Sequence, residues 1–540
     1  MKKSVALILS TTIALTLTST VFAGNFTDTE SSFAKDEITK WSNYGIVNGY
    51  NGEFRPNDFV TRAELSVIID NIMRYKTVGE NNFTDIANTD WYYNAMLKNY
   101  AAGNIFGYKD LVRPNDQVTR EEAAVILGRA LSVEPEAVST TFSDDQIISP
   151  WAKGYVSKMK NNELLHGREN NEFQPTANIT RAEVIKIIDN AIEDLYSQSG
   201  SYSKDANKFV VVNTHGVELK DMEIKKPLII SEGVGSGDVL LANIVTSELI
   251  TQGGGANSIK LLGNTSVDKT LINKINKNDL RLYVDGNSTA KEIFVQGNSK
   301  TILSGKGSIE EVLSAGEKGI ELDGSKAENV VVTGGGRTLI EKNSIVNNLT
   351  LKSSSPVVIN GVVENVYIES ENSNITGTGK ITNLVINASN VNVSVKAENL
   401  KISPNLSNVN VSSRNNSKSN NKSSSKNTSS SNAGNTSDGN NGGDGNNGGN
   451  GDNVTDGGNP VGAYTYTLES SFIGSPTYNV TVNSTTNKIK KYSLYIDNEL
   501  VGTDTNGDGI VTTIVNYFKD GAVVEMTEFG SDEKIKVNAK

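Results

Sequence analysis

A chain of 540 residues is too long for one ordinary core and divides into several units. Its formal net charge of −11 argues against a nucleic-acid partner, whose phosphates need clustered Lys and Arg. It contains no cysteine, so it has no disulfides and must rely on large buried areas or repetition.

The chain opens Met1-Lys2-Lys3, continues with an apolar run from Val5 to Leu17 and reaches Val21-Phe22-Ala23. Positive start, apolar middle and small last residue read as a secretory signal over residues 1–23. No later stretch approaches the roughly twenty apolar residues of a spanning helix, so no membrane partner is expected.

A threefold repeat follows. "VTRAELSVIID" at Val60, "VTREEAAVILG" at Val118 and "ITRAEVIKIID" at Ile179 share Thr-Arg-x-Glu, preceded each time by a proline (Pro56, Pro114, Pro175) and a glycine (Gly49, Gly107, Gly167). The units open on "FTD" at Phe26, "FTD" at Phe83 and "FSD" at Phe142, each followed by an aromatic residue, Phe33, Trp91 or Trp151. Three modules are read at 24–80, 81–138 and 139–198. After each Thr, apolar residues recur at i, i+3, i+4, i+7 and i+8, as in Leu65, Ile68, Ile69, Ile72 and Met73. That is one face of an α-helix, and Thr-x-x-Glu before it is a capping box.

Arg62, Arg120 and Arg181 do not follow from capping. A cation in the first turn opposes the helix dipole by a few tenths of a kcal/mol. A guanidinium beside free helix-terminal N–H groups predicts a receptor for a carboxylate or phosphate; the alternative is a surface pair with Asp58 or Asp116. Gly49, Gly107 and Gly167 read as turn residues of positive φ ahead of close approach to a ligand. Trp91 and Trp151, with Phe33, read as core packing ahead of stacking on sugar.

At these residues the chain resembles the S-layer homology family, whose Phe-x-Asp, Gly-Ile-x-x-Gly, Pro and Thr-Arg-Ala-Glu are met by "GIVNGYNGEFRPNDFVTRAE". Unit two departs at Asn104 and Glu121, unit three at Glu163. The resemblance implies a pseudo-threefold helical bundle whose grooves hold secondary cell-wall polysaccharide, often through a pyruvylated sugar. Its carboxylate would meet Arg62, Arg120 and Arg181, with Gly49, Gly107, Gly167, Trp91 and Trp151 as further contacts. No cofactor is implied.

From 206 to 411 the helical spacing gives way to a pattern beginning at Ala290, Ile309, Ala327, Val346, Val363, Ile381 and Ala397, with looser versions at Val217, Val239 and Ile259. Strands recurring every sixteen to nineteen residues between Gly/Asn/Ser turns predict a parallel β-solenoid, resembling the right-handed β-helix segments that accompany such modules. Asn329, Asn348, Asn365, Asn383 and Asn399 then form an internal amide ladder. The aspartates of this region do not recur in register and its sole histidine is His215, which weighs against catalysis.

Residues 412–462, rich in Ser, Asn and Gly, read as a flexible linker. Residues 463–540 alternate as strands of a small β-sandwich. Asp504, Asn506 and Asp508 have calcium-loop spacing, but the twelfth position is Val515, so a hairpin turn is preferred to a metal site. The whole reads as an exported, non-enzymatic surface protein of the wall or S-layer that displays a β-solenoid. The rival is a wall-attached polysaccharide lyase or glycoside hydrolase.

Overall fold

The capping boxes fix where the long helices begin. In the computed structural model Thr61, Thr119 and Thr180 are the N-caps of α2 (Arg62–Met73), α4 (Arg120–Ala130) and α6 (Arg181–Ala191). Each Thr hydroxyl accepts from the Glu backbone N–H, and each Glu carboxylate accepts from the Thr N–H at 2.8–2.9 Å. The structure describes residues 26–136 and 139–412, with the backbone of strands between 464 and 539. The signal read at 1–23, all but the first residue of the linker, and Asp504, Asn506 and Asp508 lie outside the described residues.

Three shorter helices, α1 (Lys35–Asn43), α3 (Tyr93–Ala101) and α5 (Pro150–Asn161), complete the helical part. Each long helix packs against the short helix of the next module: α2 on α3, α4 on α5, α6 on α1. The ring therefore closes. Around its axis Val60 N–H donates to Ile179 O, Ile179 N–H to Val118 O and Val118 N–H to Val60 O, a cycle of three backbone bonds. The apolar positions expected on the long helices are buried, Leu65, Ala123 and Val184 all at 0% exposure.

The last helix runs directly into the solenoid, because strand Ile192–Tyr196 follows Ala191 with no residue between. The first solenoid strand thus starts before residue 206. The solenoid has about 12 turns. Its parallel register pairs Ala290 with Ile309, Ile309 with Ala327, Ala327 with Val346, Val346 with Val363, Val363 with Ile381 and Ile381 with Ala397, the same residues that open the sequence pattern. In a typical coil, Lys326–Val332, the buried residues are Ala327, Val330 and Val332.

Asn348, Asn365, Asn383 and Asn399 each donate Nδ2–H to the Oδ1 of the asparagine one coil earlier, at 2.8–3.0 Å. The ladder is not internal. Its members are half-buried and Asn399 is exposed, since the second and fifth residues of each strand face inward and the third and fourth between them do not.

Helices and solenoid share one apolar core, with Phe209, Val211, Ile229, Ile250 and Leu271 joining the bundle residues. Solenoid side chains also satisfy the carbonyls that every helix leaves open at its C-terminus. Asn213 Nδ2–H and Ser231 Oγ–H donate to Ile72 O and Met73 O at 2.7 Å. The buried Glu232 carboxylate accepts from Lys76 N–H and Thr77 N–H at 3.0 and 3.1 Å. Beyond residue 462 the strands form two four-stranded sheets of a separate unit.

Candidate functional site

The repeated arginines lie where two modules meet. Arg62 donates Nε–H to Val112 O at 2.9 Å and Nη2–H to Phe106 O at 2.7 Å. Arg120 makes the same pair to Phe173 O and His166 O at 2.7 and 3.0 Å, and Arg181 to Phe54 O and Asn48 O, both at 2.9 Å. Each acceptor loop belongs to the next module around the ring. Phe106, His166 and Asn48 immediately precede Gly107, Gly167 and Gly49, so arginine and glycine positions are brought together across modules.

The same loop is gripped from its other side. Asp28 accepts from Phe54 N–H and Arg55 N–H at 2.8 and 2.6 Å, Asp85 from Val112 N–H and Arg113 N–H, and Asp144 from Phe173 N–H and Gln174 N–H. One peptide in each module is thus held between an aspartate and the arginine of its neighbour. Sequence reasoning passed over these aspartates, although the third residue of Phe-x-Asp carried the signal.

The helix-terminal N–H groups expected beside the arginines are not free. Arg62 N–H and Ala63 N–H donate to Asp116 O and Pro114 O, Arg120 and Glu121 to Ala177 O and Pro175 O, and Arg181 and Ala182 to Asp58 O and Pro56 O. Closing the ring satisfies them internally. Among the described residues neither Asp58 nor Asp116 forms an ion pair with these arginines; Asp58 pairs with Arg55 at 3.5 Å, and both aspartates give main-chain carbonyls to the helix starts. Arg120 and Arg181 are buried and Arg62 is half-buried. Burial lowers the pKa of all three guanidinium groups, opposed first by the nearest capping glutamate: Glu122 for Arg62, Glu183 for Arg120, Glu64 for Arg181.

The glycines are not positive-φ residues. A Cβ at Gly49 or Gly107 would strike Cε1 of Phe26 or Phe83, the opening aromatic of the same module, and a carbonyl oxygen. Close packing of that ring is the reason for glycine. At Gly167 the nearest atom would be Glu172 O at 3.0 Å, a looser fit. Core packing also fails for Phe33 and Trp91, which are 64% and 68% exposed, whereas Trp151 is partly buried against the core. Among the described residues Arg120 and Arg181 stand over Phe173 and Phe54 rather than over a tryptophan.

The three junctions are unequal. Around Arg181 and Arg62 stand an exposed tyrosine, Tyr50 or Tyr108, and an exposed second arginine, Arg55 or Arg113, that lowers the pKa of its neighbour further. Arg113 lies over the Tyr108 ring. At the third junction Arg168 takes the tyrosine position and binds Glu183 at 2.7 and 2.8 Å, while Arg120 Nη1–H binds Glu183 at 2.9 Å. Burial pushes the Glu183 carboxyl up, but Arg168 and the other donors hold it below the ordinary range. That junction is filled by its own ion pairs. Arg181 Nη1 is 3.9 Å from Glu64, and among the described residues Arg62 Nη1 has no hydrogen-bond partner.

A closed ring of three helical modules joined without a linker to a solenoid defines a class of modular, repeat-built protein. The S-layer homology domain family matches residues 25–66, 82–124 and 141–185, and the chain carries three such domains. It is 38% identical over 175 residues to the amylopullulanase of Thermoanaerobacterium thermosulfurigenes, covering 31% of this chain and 9% of that one. It is 32% identical over 170 residues to the surface-layer 125 kDa protein of Lysinibacillus sphaericus, covering 31% and 14%. A match to the middle cell wall protein of Brevibacillus brevis, 25% identical over 341 residues, covers 57% of this chain and 31% of that protein. The chain therefore spans less than a third of each of these relatives. Its domains mark it as a surface protein attached at the cell wall. Among the described residues no helix is long and apolar enough to cross a membrane.

Proposed function

We propose that this is an exported protein moored to secondary cell-wall polysaccharide by its helical ring, and that the junctions around Arg62 and Arg181 hold a carboxylate of the polymer such as a ketal-linked pyruvate. The observation that carries the reading is Arg62, whose guanidinium is locked by two carbonyls, has no hydrogen-bond partner at Nη1 among the described residues and is flanked by Arg113 and the exposed Tyr108. A preorganised guanidinium loses little entropy on pairing with a carboxylate. The solenoid serves display, and the strands of 464–539 form a small β-sandwich; neither acts as an enzyme.

Pull-down of the chain on purified walls tests this, with and without chemical removal of the polymer and of its pyruvate. Binding should fall in both stripped samples. Tyr108→Ala and Arg113→Ala, which leave the clamps intact, should weaken binding by a factor of about ten each with an unchanged melting midpoint, while Gln174→Ala should do nothing. Equal binding to stripped and native walls would end the proposal.

One observation favours the catalytic rival. Asp279, Glu321 and Asp323 gather on adjacent coils with Lys300 and Arg281, Lys300 lying 3.3 and 2.8 Å from Asp279 and Glu321 and Arg281 lying 2.9 Å from Asp323. Every one of these carboxylates is already paired with a cation, which supports a structural patch. Release of unsaturated or reducing ends from wall polysaccharide, abolished in Lys300→Ala, would instead establish a lyase or hydrolase.

A further inference from the structure

Where α2 ends, the ring carries a second concentration of cations, away from its arginine junctions. An open cleft of about 310 Å³ is lined there by Tyr44, Asp70, Asn71, Arg74 and Lys76 of the first module and by Lys98 of α3. Because α2 is 12 residues long, roughly 18 Å of helix separates this cleft from Arg62. The cations belong to one module only. Positions equivalent to Arg74 and Lys76 hold Ser132 and Glu134 in the second module and Glu193 and Leu195 in the third.

Structural duties do not account for them. Cations near a helix C-terminus commonly serve its open carbonyls, but Ile72 O and Met73 O already accept from Asn213 and Ser231, and Asp70 O accepts from Arg74 N–H at 2.6 Å. Arg74 ends the helix with φ 51° and ψ 46°, a left-handed conformation that glycine adopts freely and arginine does not. Its Nη1–H donates to Ser197 O at 3.2 Å, and the backbone N–H of Lys76 is held by Glu232 at 3.0 Å, so the solenoid steadies both walls. The nearby carboxylates are engaged: Asp70 pairs with Lys98 at 2.9 Å, and Asp194, beside Tyr44, pairs with Lys204 at 3.0 Å. Three cations against one carboxylate leave the lining of the cleft positive.

We infer that this cleft binds a single acidic sugar, one that carries a carboxylate or a phosphate. The anionic group is taken by Arg74 and Lys76 through charge-assisted bonds. Sugar hydroxyls meet groups of the opposite character. Asp70 has acceptor capacity beyond its bond to Lys98. Asn71 commits Nδ2 to Ile46 O at 2.9 Å, which leaves its Oδ1 as an acceptor, and the exposed Tyr44 adds a phenol that donates and accepts. Acceptors set beside cations favour a hydroxylated anion over a bare one. The volume stands at the lower end of ligand pockets and suits one sugar unit rather than a chain. This site does not rest on the reading of the Arg62 junction.

Titration calorimetry on the full chain tests this with four probes: glucose 6-phosphate, glucuronate, glucose and inorganic phosphate. At least one acidic sugar should bind with a dissociation constant of about 1 mM or below, at least tenfold more tightly than glucose or inorganic phosphate. Arg74→Gly and Lys76→Gln should each weaken that binding at least tenfold. Glycine suits the backbone at position 74, so Arg74→Gly should melt at the wild-type temperature or above it. A carboxylate also suits the Arg62 junction, so the titration is repeated in the double variant Tyr108→Ala, Arg113→Ala, whose cleft is untouched; binding should persist there even where attachment to walls is lost. No binding of either acidic sugar at about 20 mM would overturn the proposal. So would equal binding of glucose or of inorganic phosphate, retention in both cleft variants, a lowered melting midpoint in Arg74→Gly, or loss in the Tyr108→Ala, Arg113→Ala variant.

Discussion

The helical ring and the solenoid are both repeats, but one closes by rotation and the other advances by translation. In the ring each module grips the next through an arginine, and the third returns to the first, so every clamp has a neighbour on both sides. In the solenoid each strand pairs with its equivalents in the coils before and after it, and the series does not return to its start. Closure makes stability collective; translation makes it nearly additive. A single lesion should therefore cost more in the ring.

Arg120→Ala is the strongest test of that difference. It strips the Phe173 and His166 carbonyls of their donor and leaves Glu183 with one cation fewer, at an expected cost of about 3–5 kcal/mol, read as a fall in the urea midpoint. A loss under 1 kcal/mol would mean that the clamp is not cooperative. The junction between ring and solenoid is tested by pH. Lys274 is fully buried, and burial lowers its pKa to about 8 from an ordinary 10.5, against the pull of Glu232 and Asp279. Between those values the unfolded chain holds the proton more tightly, so stability should rise as pH rises from about 8 to 10.5 and stay at its lower level below 8. Lys274→Met should remove that rise, measured by urea unfolding at pH 7.5 and 10.

Smaller effects separate the modules and then the coils. Gly49→Ala pushes a methyl group into Phe26 and should cost about 1–3 kcal/mol, clearly more than Gly167→Ala, where the nearest atom is looser. Equal melting shifts would refute the packing account of these glycines. In the solenoid, Asn365→Ala breaks the ladder on both sides and should cost about 1 kcal/mol, while Asn399→Ala breaks one bond at an exposed end and should cost a few tenths. Reversal of that order would mean that stability is not passed from coil to coil.

What could be read from the sequence follows the range of each interaction. Thr61 and Glu64 interact within one turn, and Ala327 and Val346 repeat a local pattern, so helix starts and coil register were both legible. The chemistry of the arginines was not, because Arg181 is satisfied by Phe54 O and Asn48 O, more than a hundred residues away, and the sequence of its own module looks like an open helix terminus. Gly49 was misread for a related reason: the Phe26 ring that demands a missing Cβ is invisible in a pattern that predicts turns. The asparagine ladder was legible as a row but not as to side. A period-two alternation places its fourth position inward, but two residues instead of one separate the buried Ala327 and Val330, which leaves the asparagine outside.

The direct passage from α6 into strand Ile192–Tyr196 has a mechanical meaning. Domains joined by a linker move relative to one another; here the helix axis, the Glu232 carboxylate and the shared core leave no such hinge between ring and coils. About 12 turns at roughly 4.8 Å per turn make a strut of roughly 60 Å. A sideways pull at the far end would act on the ring as torque through that lever arm, and all three modules would share the load because the solenoid holds each of them: Ile72 and Met73 in the first, Ser132 and Glu134 in the second, Asn162 and Asp189 in the third. Whatever the far end carries, its standoff from the ring is set by counting coils.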